Sequence, residues 1–169
     1  TYPLPEAQLD RFMLKVKAEF PNAAELVEII NRTTVVELPQ PAVVASGEAI
    51  RHMIRLAREV EVATHVKEYA ARLVRSTHPG DPRSADMTRR YVRYGASPRG
   101  VQALILAGKV RALVAGRANV SFTDLKALAL PSLRHRIILN FEGEAEGVDP
   151  DAVIANALEE TPELEEAKT

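Results

Sequence analysis

From residue 22 onward, apolar residues recur at the three- and four-residue spacing of helices that bury one face. Only 5% of the residues are aromatic, so aliphatic side chains have to supply most of the packing. Cysteine is absent, which excludes disulfides and thiolate metal sites. These features predict a mainly α fold, a bundle of about five helices packed on one another.

Residues that commonly cap helix N-termini precede most of these stretches. The candidate caps are Asn22, Ser46, Ser97 before Pro98, Ser121 with Asp124, and Asp149 before Pro150. They predict helices starting near residues 22, 46, 97, 121 and 149, with a further helix through residues 66–74. Residues 78–95 are expected to be basic and irregular, and a short strand is expected at Ile137 to Phe141.

The first twenty residues follow a different pattern. Pro5 and Glu6 favour the start of a short helix that is expected to reach Phe12. Phe12 to Phe20 then alternates in the manner of a half-buried strand, which would have to pair with strands outside this sequence. We therefore predict three parts: residues 1–20 as the end of an α/β core, 21–148 as a helical domain, and 149–169 as a helix with an acidic tail.

The formal net charge is −1, which argues against the whole chain acting as a polycation on nucleic acid or membranes. No apolar run approaches the roughly 20 residues of a membrane span, and a cytoplasmic location is expected. The run from Arg89 to Tyr94 mixes cations with aromatic residues and keeps open one alternative. In that alternative the chain is a self-contained helical module that binds protein or DNA.

No metal site is predicted. The four histidines, His52, His65, His78 and His135, show none of the close spacings that metal ligands adopt. The chain also begins without an initiator Met, and we expect it to be a piece of a longer protein.

One motif covers the eleven residues from Tyr2 to Phe12, which are Tyr-Pro-Leu-Pro-Glu-Ala-Gln-Leu-Asp-Arg-Phe. They resemble the segment that precedes the last core strand in MoxR-type AAA+ ATPases. The resemblance implies that Arg11 is an arginine finger, donated to the nucleotide of a neighbouring subunit. A planar and permanently charged guanidinium suits the stabilisation of charge on a transferring phosphoryl group.

A second motif runs from Tyr94 to Gly100 and is similar to the sensor-2 motif of the same family. Pro98 is suited to the first turn of the helix, and Arg99 follows it. The resemblance implies that Arg99 contacts a nucleotide phosphate at the helix N-terminus. Both the guanidinium and the helix dipole favour an anion at that position.

Residues 114–125 and Leu133 to Ile137 resemble later parts of the family's lid domain. The fold implied is an AAA+ lid bundle preceded by a helix and strand left from the ATPase core. A phosphate-binding loop of the form Gly-x-x-x-x-Gly-Lys-Ser/Thr is absent, so we expect no ATP hydrolysis by this chain alone and no tightly bound cofactor.

For the full-length parent, the resemblance implies an ATPase that binds ATP and Mg²⁺ and assembles as a ring, a hexamer by analogy. It also implies chaperone-like work on client proteins, including ones with von Willebrand factor A domains. Nucleic acid is not an expected partner on this reading.

Overall fold

The computed structural model describes residues 4–164, which form a mainly helical structure with one small pair of strands. The elements in chain order are α1 (Glu6–Leu9), α2 (Ala23–Thr33), α3 (Gly47–Glu59), α4 (Thr64–Ser76), α5 (Asp86–Tyr91), β1 (Val92–Tyr94), α6 (Pro98–Val114), α7 (Phe122–Leu133), β2 (Ile138–Leu139), α8 (Phe141–Ala145) and α9 (Pro150–Glu160). The mainly α prediction is confirmed.

The chain divides into two compact units. One holds residues 16–54, and the other holds the residues before 16 and after 54. The predicted division at residues 20 and 148 stays a prediction.

The unit of residues 16–54 contains α2 and most of α3. The side chain of Asn22 accepts hydrogen bonds from the backbone N–H groups of Ala24 and Glu25, both at 3.0 Å. Glu25 returns the contact by accepting from the N–H of Asn22 at 2.8 Å. This reciprocal capping box satisfies donors that the first helical turn leaves free. The predicted cap at Asn22 is therefore confirmed.

The apolar faces predicted for α2 and α3 form, but they are not covered. Val27 and Ile30 on α2 and Ile50 and Met53 on α3 are all exposed. No residue of α2 or α3 is buried by the described part of the chain. The helical period thus specified these two helices correctly without specifying what packs on them.

The core of the other unit lies between α4, α6, α7 and α9. Its largest fully buried side chains are Tyr69, Leu73, Leu104, Leu125, Leu133, Ile154 and Val153. Gly108 lets α6 approach α7 closely, because a Cβ at this position would lie 3.1 Å from side-chain atoms of both Val120 and Leu125. A larger residue at this position would require the two neighbouring side chains to move.

Residues 78–95 are more ordered than the sequence predicted. They contain α5 and β1, and β1 pairs antiparallel with β2, with Val92 opposite Leu139 and Tyr94 opposite Ile138. The expectation of an irregular segment was wrong because the partner strand lies far away in the sequence. The strand predicted within residues 137–141 is confirmed as β2, and the acidic segment that follows it forms the short helix α8.

Phe12 to Phe20 does not form a strand within this chain. Hydrogen-bonded turns continue from α1 to Phe12, and residues 14–22 are neither helix nor strand. A strand requires a paired neighbour, and the described residues offer none here. Lys15 instead donates its N–H to the carbonyl of Pro131 at 2.8 Å, which docks this segment on α7. None of the helices over residues 4–164 combines the length and the apolar character needed to cross a membrane.

Candidate functional site

The motif at residues 94–100 is held in place by the end of α4. Gly95 approaches Thr77 so closely that a Cβ on it would lie 2.4 Å from the Thr77 carbonyl oxygen. The Thr77 hydroxyl accepts a hydrogen bond from the N–H of Ala96 at 3.0 Å, and Nε2 of His78 lies 2.9 Å from the Ala96 carbonyl oxygen. The glycine in this motif is therefore required by a close backbone approach.

Arg99 occupies the first turn of the seventeen-residue helix α6. Ser97 is the N-cap, and its Oγ accepts from the N–H of Arg99 at 3.2 Å. The Arg99 side chain is 51% exposed, and its Nη1 lies 3.3 Å from Oδ2 of Asp10. The structure thus places a half-exposed cation at a helix N-terminus, where the helix dipole favours an anion.

Arg11 follows α1 and is exposed. Its N–H donates to the carbonyl of Gln8 at 3.1 Å, so the backbone is fixed in a turn. Its guanidinium makes no hydrogen bond or ion pair with any residue in the described range 4–164. The nearby carboxylate of Asp10 pairs with Arg99 and Arg136 instead, and the guanidinium of Arg11 is available to an external group.

Asp10 brings the two sequence motifs together. Its carboxylate accepts from the Ser97 hydroxyl, at 2.7 Å to Oδ1 and 2.9 Å to Oδ2. The same carboxylate contacts Arg99 on one side and Arg136 on the other, with 3.1 Å between Nε of Arg136 and Oδ1. The residue next to Arg11 in sequence therefore bonds directly to the cap of the helix that carries Arg99.

Sequence reasoning did not identify Arg136 as part of this site. Its side chain is 2% exposed, and its guanidinium donates to the carbonyls of Asp10 at 3.0 Å and Phe12 at 2.7 Å. The available signal was the run from Leu133 to Ile137, which resembles the family but whose roles the resemblance did not specify. A buried arginine needs several acceptors, and here they come from the segment around Arg11.

Burial lowers the pKa of Arg136, and the neighbouring Asp10 carboxylate opposes that shift. Burial also lowers the pKa of His135, whose Nε2 lies 2.9 Å from the carbonyl oxygen of Phe12. Arg134 completes the contact, with 3.1 Å from its Nη1 to the Lys15 carbonyl oxygen and 2.9 Å from its Nε to Oδ1 of Asp151. Three consecutive residues after α7 therefore hold the segment that carries Arg11.

The basic run at residues 89–94 is largely engaged by carboxylates. Arg89 pairs with Asp86, and Arg90 pairs with Glu142 at 2.8 Å and Glu146 at 3.0 Å. Ion pairs with acidic neighbours leave less positive potential for a phosphate backbone. This geometry does not favour the alternative in which the run forms a DNA-binding face.

The residues present fit one part of a bound nucleotide. Arg99 at the N-terminus of α6 has the charge, exposure and helix position of a phosphate contact. Among residues 4–164, no three His, Cys, Asp or Glu side chains gather as a metal ion would require. Residues 4–164 therefore provide a candidate phosphate contact, but they contain no group of side chains suited to hold a magnesium ion.

Comparison with known proteins shows what this chain is similar to. Residues 84–157 match the family model for the AAA lid domain, which includes α5 to α7, both strands and Arg99. Chaperone MoxR1 of Mycobacterium tuberculosis is 32% identical over 94% of this chain and 42% of its own length. The Bacillus subtilis protein YeaC is 33% identical over 94% of this chain and 47% of its own length.

A solved structure of an ATPase candidate from Cytophaga hutchinsonii superposes with a TM-score of 0.85. It is 30% identical and covers 95% of this chain, which in turn covers 49% of that chain. The chain thus spans about half the length of the relatives it matches. It belongs to the MoxR family of AAA+ ATPases and carries the C-terminal, lid-containing portion of such a protein.

Proposed function

We propose that this chain is the lid and arginine-finger segment of an ATPase that works as an oligomeric ring, with six subunits by family analogy. In the full-length protein, ATP and Mg²⁺ bind mainly to the phosphate-binding core, and Arg99 contacts a phosphate of the nucleotide in its own subunit. Arg11 extends to the nucleotide of the adjacent subunit. The chain alone does not hydrolyse ATP.

The exposure and weak pairing of the Arg99 guanidinium are the observation that carries this proposal. Its guanidinium is half-exposed and is held by one 3.3 Å contact to Asp10, a pair that solvent weakens. A nucleotide phosphate would offer more negative charge and could accept two hydrogen bonds from a guanidinium. Exchange of Asp10 for phosphate would therefore reorient Arg99 at the start of α6, a helix whose buried residues belong to the core.

Arg11 supports the second half of the proposal. Its backbone is fixed by turns, whereas its guanidinium has no partner within the described residues. Such a group can stabilise charge that develops in a transition state without first breaking an ion pair. Since it projects from the chain surface, a nucleotide bound by another subunit is its natural target.

Movement of this lid on ATP hydrolysis would supply the force for chaperone-like remodelling of client proteins, including those with von Willebrand factor A domains. A cytoplasmic location suits that activity, because ATP is available there. One relative, chaperone MoxR1, is named as a chaperone, and the proposal extends that activity to the present protein.

The test uses the full-length protein with Arg11→Ala, Arg99→Ala and the control Arg93→Ala. Arg93 is also exposed, but it stacks on Tyr94, with its guanidinium carbon 5.1 Å from the ring centroid. We expect Arg99→Ala to weaken nucleotide binding, and Arg11→Ala to leave binding intact while lowering kcat by roughly 1,000-fold. The control variant should retain both.

Mixing subunits separates action in cis from action in trans. Arg11→Ala subunits are mixed with subunits that keep Arg11 but lack the lysine of the phosphate-binding loop. A finger that acts in trans restores turnover at the mixed interfaces. Undiminished turnover by the Arg11→Ala ring, or no restoration on mixing, would overturn the finger assignment.

A further inference from the structure

We infer that Asp10 and Arg136 are positioning residues that hold Arg11 and Arg99 in one hydrogen-bonded unit. The inference rests on the proposed roles of those two arginines. It adds a link between them: the contact to a subunit's own nucleotide and the finger given to its neighbour are mechanically joined.

Arg136 holds the backbone on both sides of Arg11. Its Nη2 donates to the carbonyl oxygen of Asp10 at 3.0 Å and to that of Phe12 at 2.7 Å. Its Nη1 donates to the carbonyl oxygens of Met13, at 3.3 Å, and Ser132. A planar guanidinium can make this fan of contacts, whereas the single ammonium of lysine cannot reach all of the acceptors.

Asp10 joins that clamp to the helix bearing Arg99. Its carboxylate binds Nε of Arg136 at 3.1 Å and the hydroxyl of Ser97 at 2.7 Å, and it contacts Arg99 at 3.3 Å. Ser97 is the N-cap of α6, so Asp10 is bonded directly to the residue at which that helix starts. The carboxylate also balances the charge of Arg136, which is almost completely buried.

The contacts of Asp10 with Arg136 and with Arg99 differ in burial, and this difference decides which contact breaks first when a nucleotide binds. Arg136 and its main-chain acceptors are buried or half-buried, whereas the Arg99 contact is exposed. When phosphate draws Arg99 away, Asp10 loses its weakest partner and keeps the other two. The segment around Arg11 then remains tied to Ser97, and a tilt of α6 on nucleotide binding moves the finger as well.

The experiment compares Arg136→Lys and Asp10→Asn in the full-length ring. Arg90→Lys is the matched control, because Arg90 is also a guanidinium with two acceptors, Glu142 and Glu146, but both acceptors lie at α8 rather than beside Arg11. A misplaced finger costs turnover without weakening nucleotide binding. We expect Arg136→Lys to lower kcat by about 10- to 100-fold with little change in KM for ATP, and the control to change neither.

Asp10→Asn keeps an oxygen that can accept from Ser97 but removes the charge that Arg99 and Arg136 share. We expect it to lower kcat and also to change the KM for ATP, because Arg99 loses the partner that competes with phosphate. This second variant keeps the inference testable if Arg136→Lys fails to assemble, which is checked by gel filtration and thermal unfolding.

Mixed rings give a result that a purely structural role of Arg136 would not produce. Arg136→Lys subunits are combined with subunits that have intact Arg11 and Arg136 but lack the phosphate-binding lysine. Restored turnover supports positioning of a finger that acts in trans. If kcat and thermal stability fall, KM for ATP rises, and mixing restores nothing, the inference is overturned.

A parallel experiment with Arg11→Ala subunits distinguishes failure of the positioning role from failure of the proposed function. If mixing restores turnover for Arg11→Ala but not for Arg136→Lys, only the positioning role fails. If it restores neither, the proposed function fails first.

Discussion

The guanidinium of Arg117 donates two hydrogen bonds to the carboxylate of Asp124, at 2.8 Å and 2.6 Å. Asp124 is almost completely buried and also accepts from the N–H and the hydroxyl of Ser121, at 2.9 Å and 2.8 Å. Arg111 lies 3.3 Å from the same carboxylate. One side chain thus joins the end of α6, the connecting loop and the start of α7.

Truncation of this carboxylate should destabilise the bundle. Asp124→Ala removes the acceptor for several donors, and we expect it to lower the free energy of unfolding by about 2 kcal/mol in urea titrations. Asp86→Ala is the control, because Asp86 pairs with Arg89 at an exposed position. A change of similar size in both variants would show that the buried network is not the cause.

The same network predicts acid sensitivity. Hydrogen bonds from Arg117, aided by those from Ser121, hold the pKa of Asp124 well below its usual range. A depressed pKa in the folded state stabilises the protein above the unfolded value, and that contribution is lost as the pH falls from about 4 towards the folded pKa. We expect the unfolding free energy of the unmodified chain to fall more steeply below pH 4 than that of Asp124→Asn.

Some acid sensitivity should remain in that variant. The N–H of Arg83 donates to the Asp81 carboxylate and lowers the pKa of that group as well. If the two proteins have parallel profiles below pH 4, the pair of Arg117 and Asp124 does not contribute to the acid response.

His135 predicts a second, milder pH dependence. Burial lowers its pKa below 6.5, and its Nδ1 is buried without a partner among the described residues. Because the folded state prefers the neutral ring, stability contributed by this preference is present at high pH and is lost as the pH falls through the unfolded value near 6.5.

The measurement is urea unfolding at pH 7.5 and pH 5.5. We expect the unmodified chain to lose more stability between these conditions than His135→Gln. The ring protons of His135 should titrate below the usual range in NMR spectra. Titration at or above that range would contradict the assignment of a buried neutral ring.

Gly95 should resist substitution even by alanine. A Cβ there would lie 2.4 Å from the Thr77 carbonyl oxygen, so the backbone would have to move. Overpacking of this kind costs about 1 to 3 kcal/mol, and we expect Gly95→Ala to lower the unfolding free energy by that amount. Gly80→Ala is the matched control, since a Cβ at Gly80 would have no atom within 4 Å. Equal stability of the two variants would refute the close-approach argument.

Much of the helical structure could be predicted from the sequence because its signals are local. The cap at Asn22 with Glu25, the cap at Ser97 before Pro98, and the pair of Ser121 and Asp124 lie within a few residues of the helices they start. The apolar period of each helix was equally local. What α2 and α3 pack against was not, and both remain exposed over the described residues.

The candidate site shows the same division. The sequence determined which side chains carry charge, and by resemblance it identified Arg11 and Arg99. Only the tertiary structure showed that Arg136 holds both neighbours of Arg11, that Asp10 connects it to the cap of α6, and that β1 has a partner in β2. These contacts join residues far apart in the chain, and no local pattern specifies them. They form because the packing of the bundle brings those residues within hydrogen-bond distance.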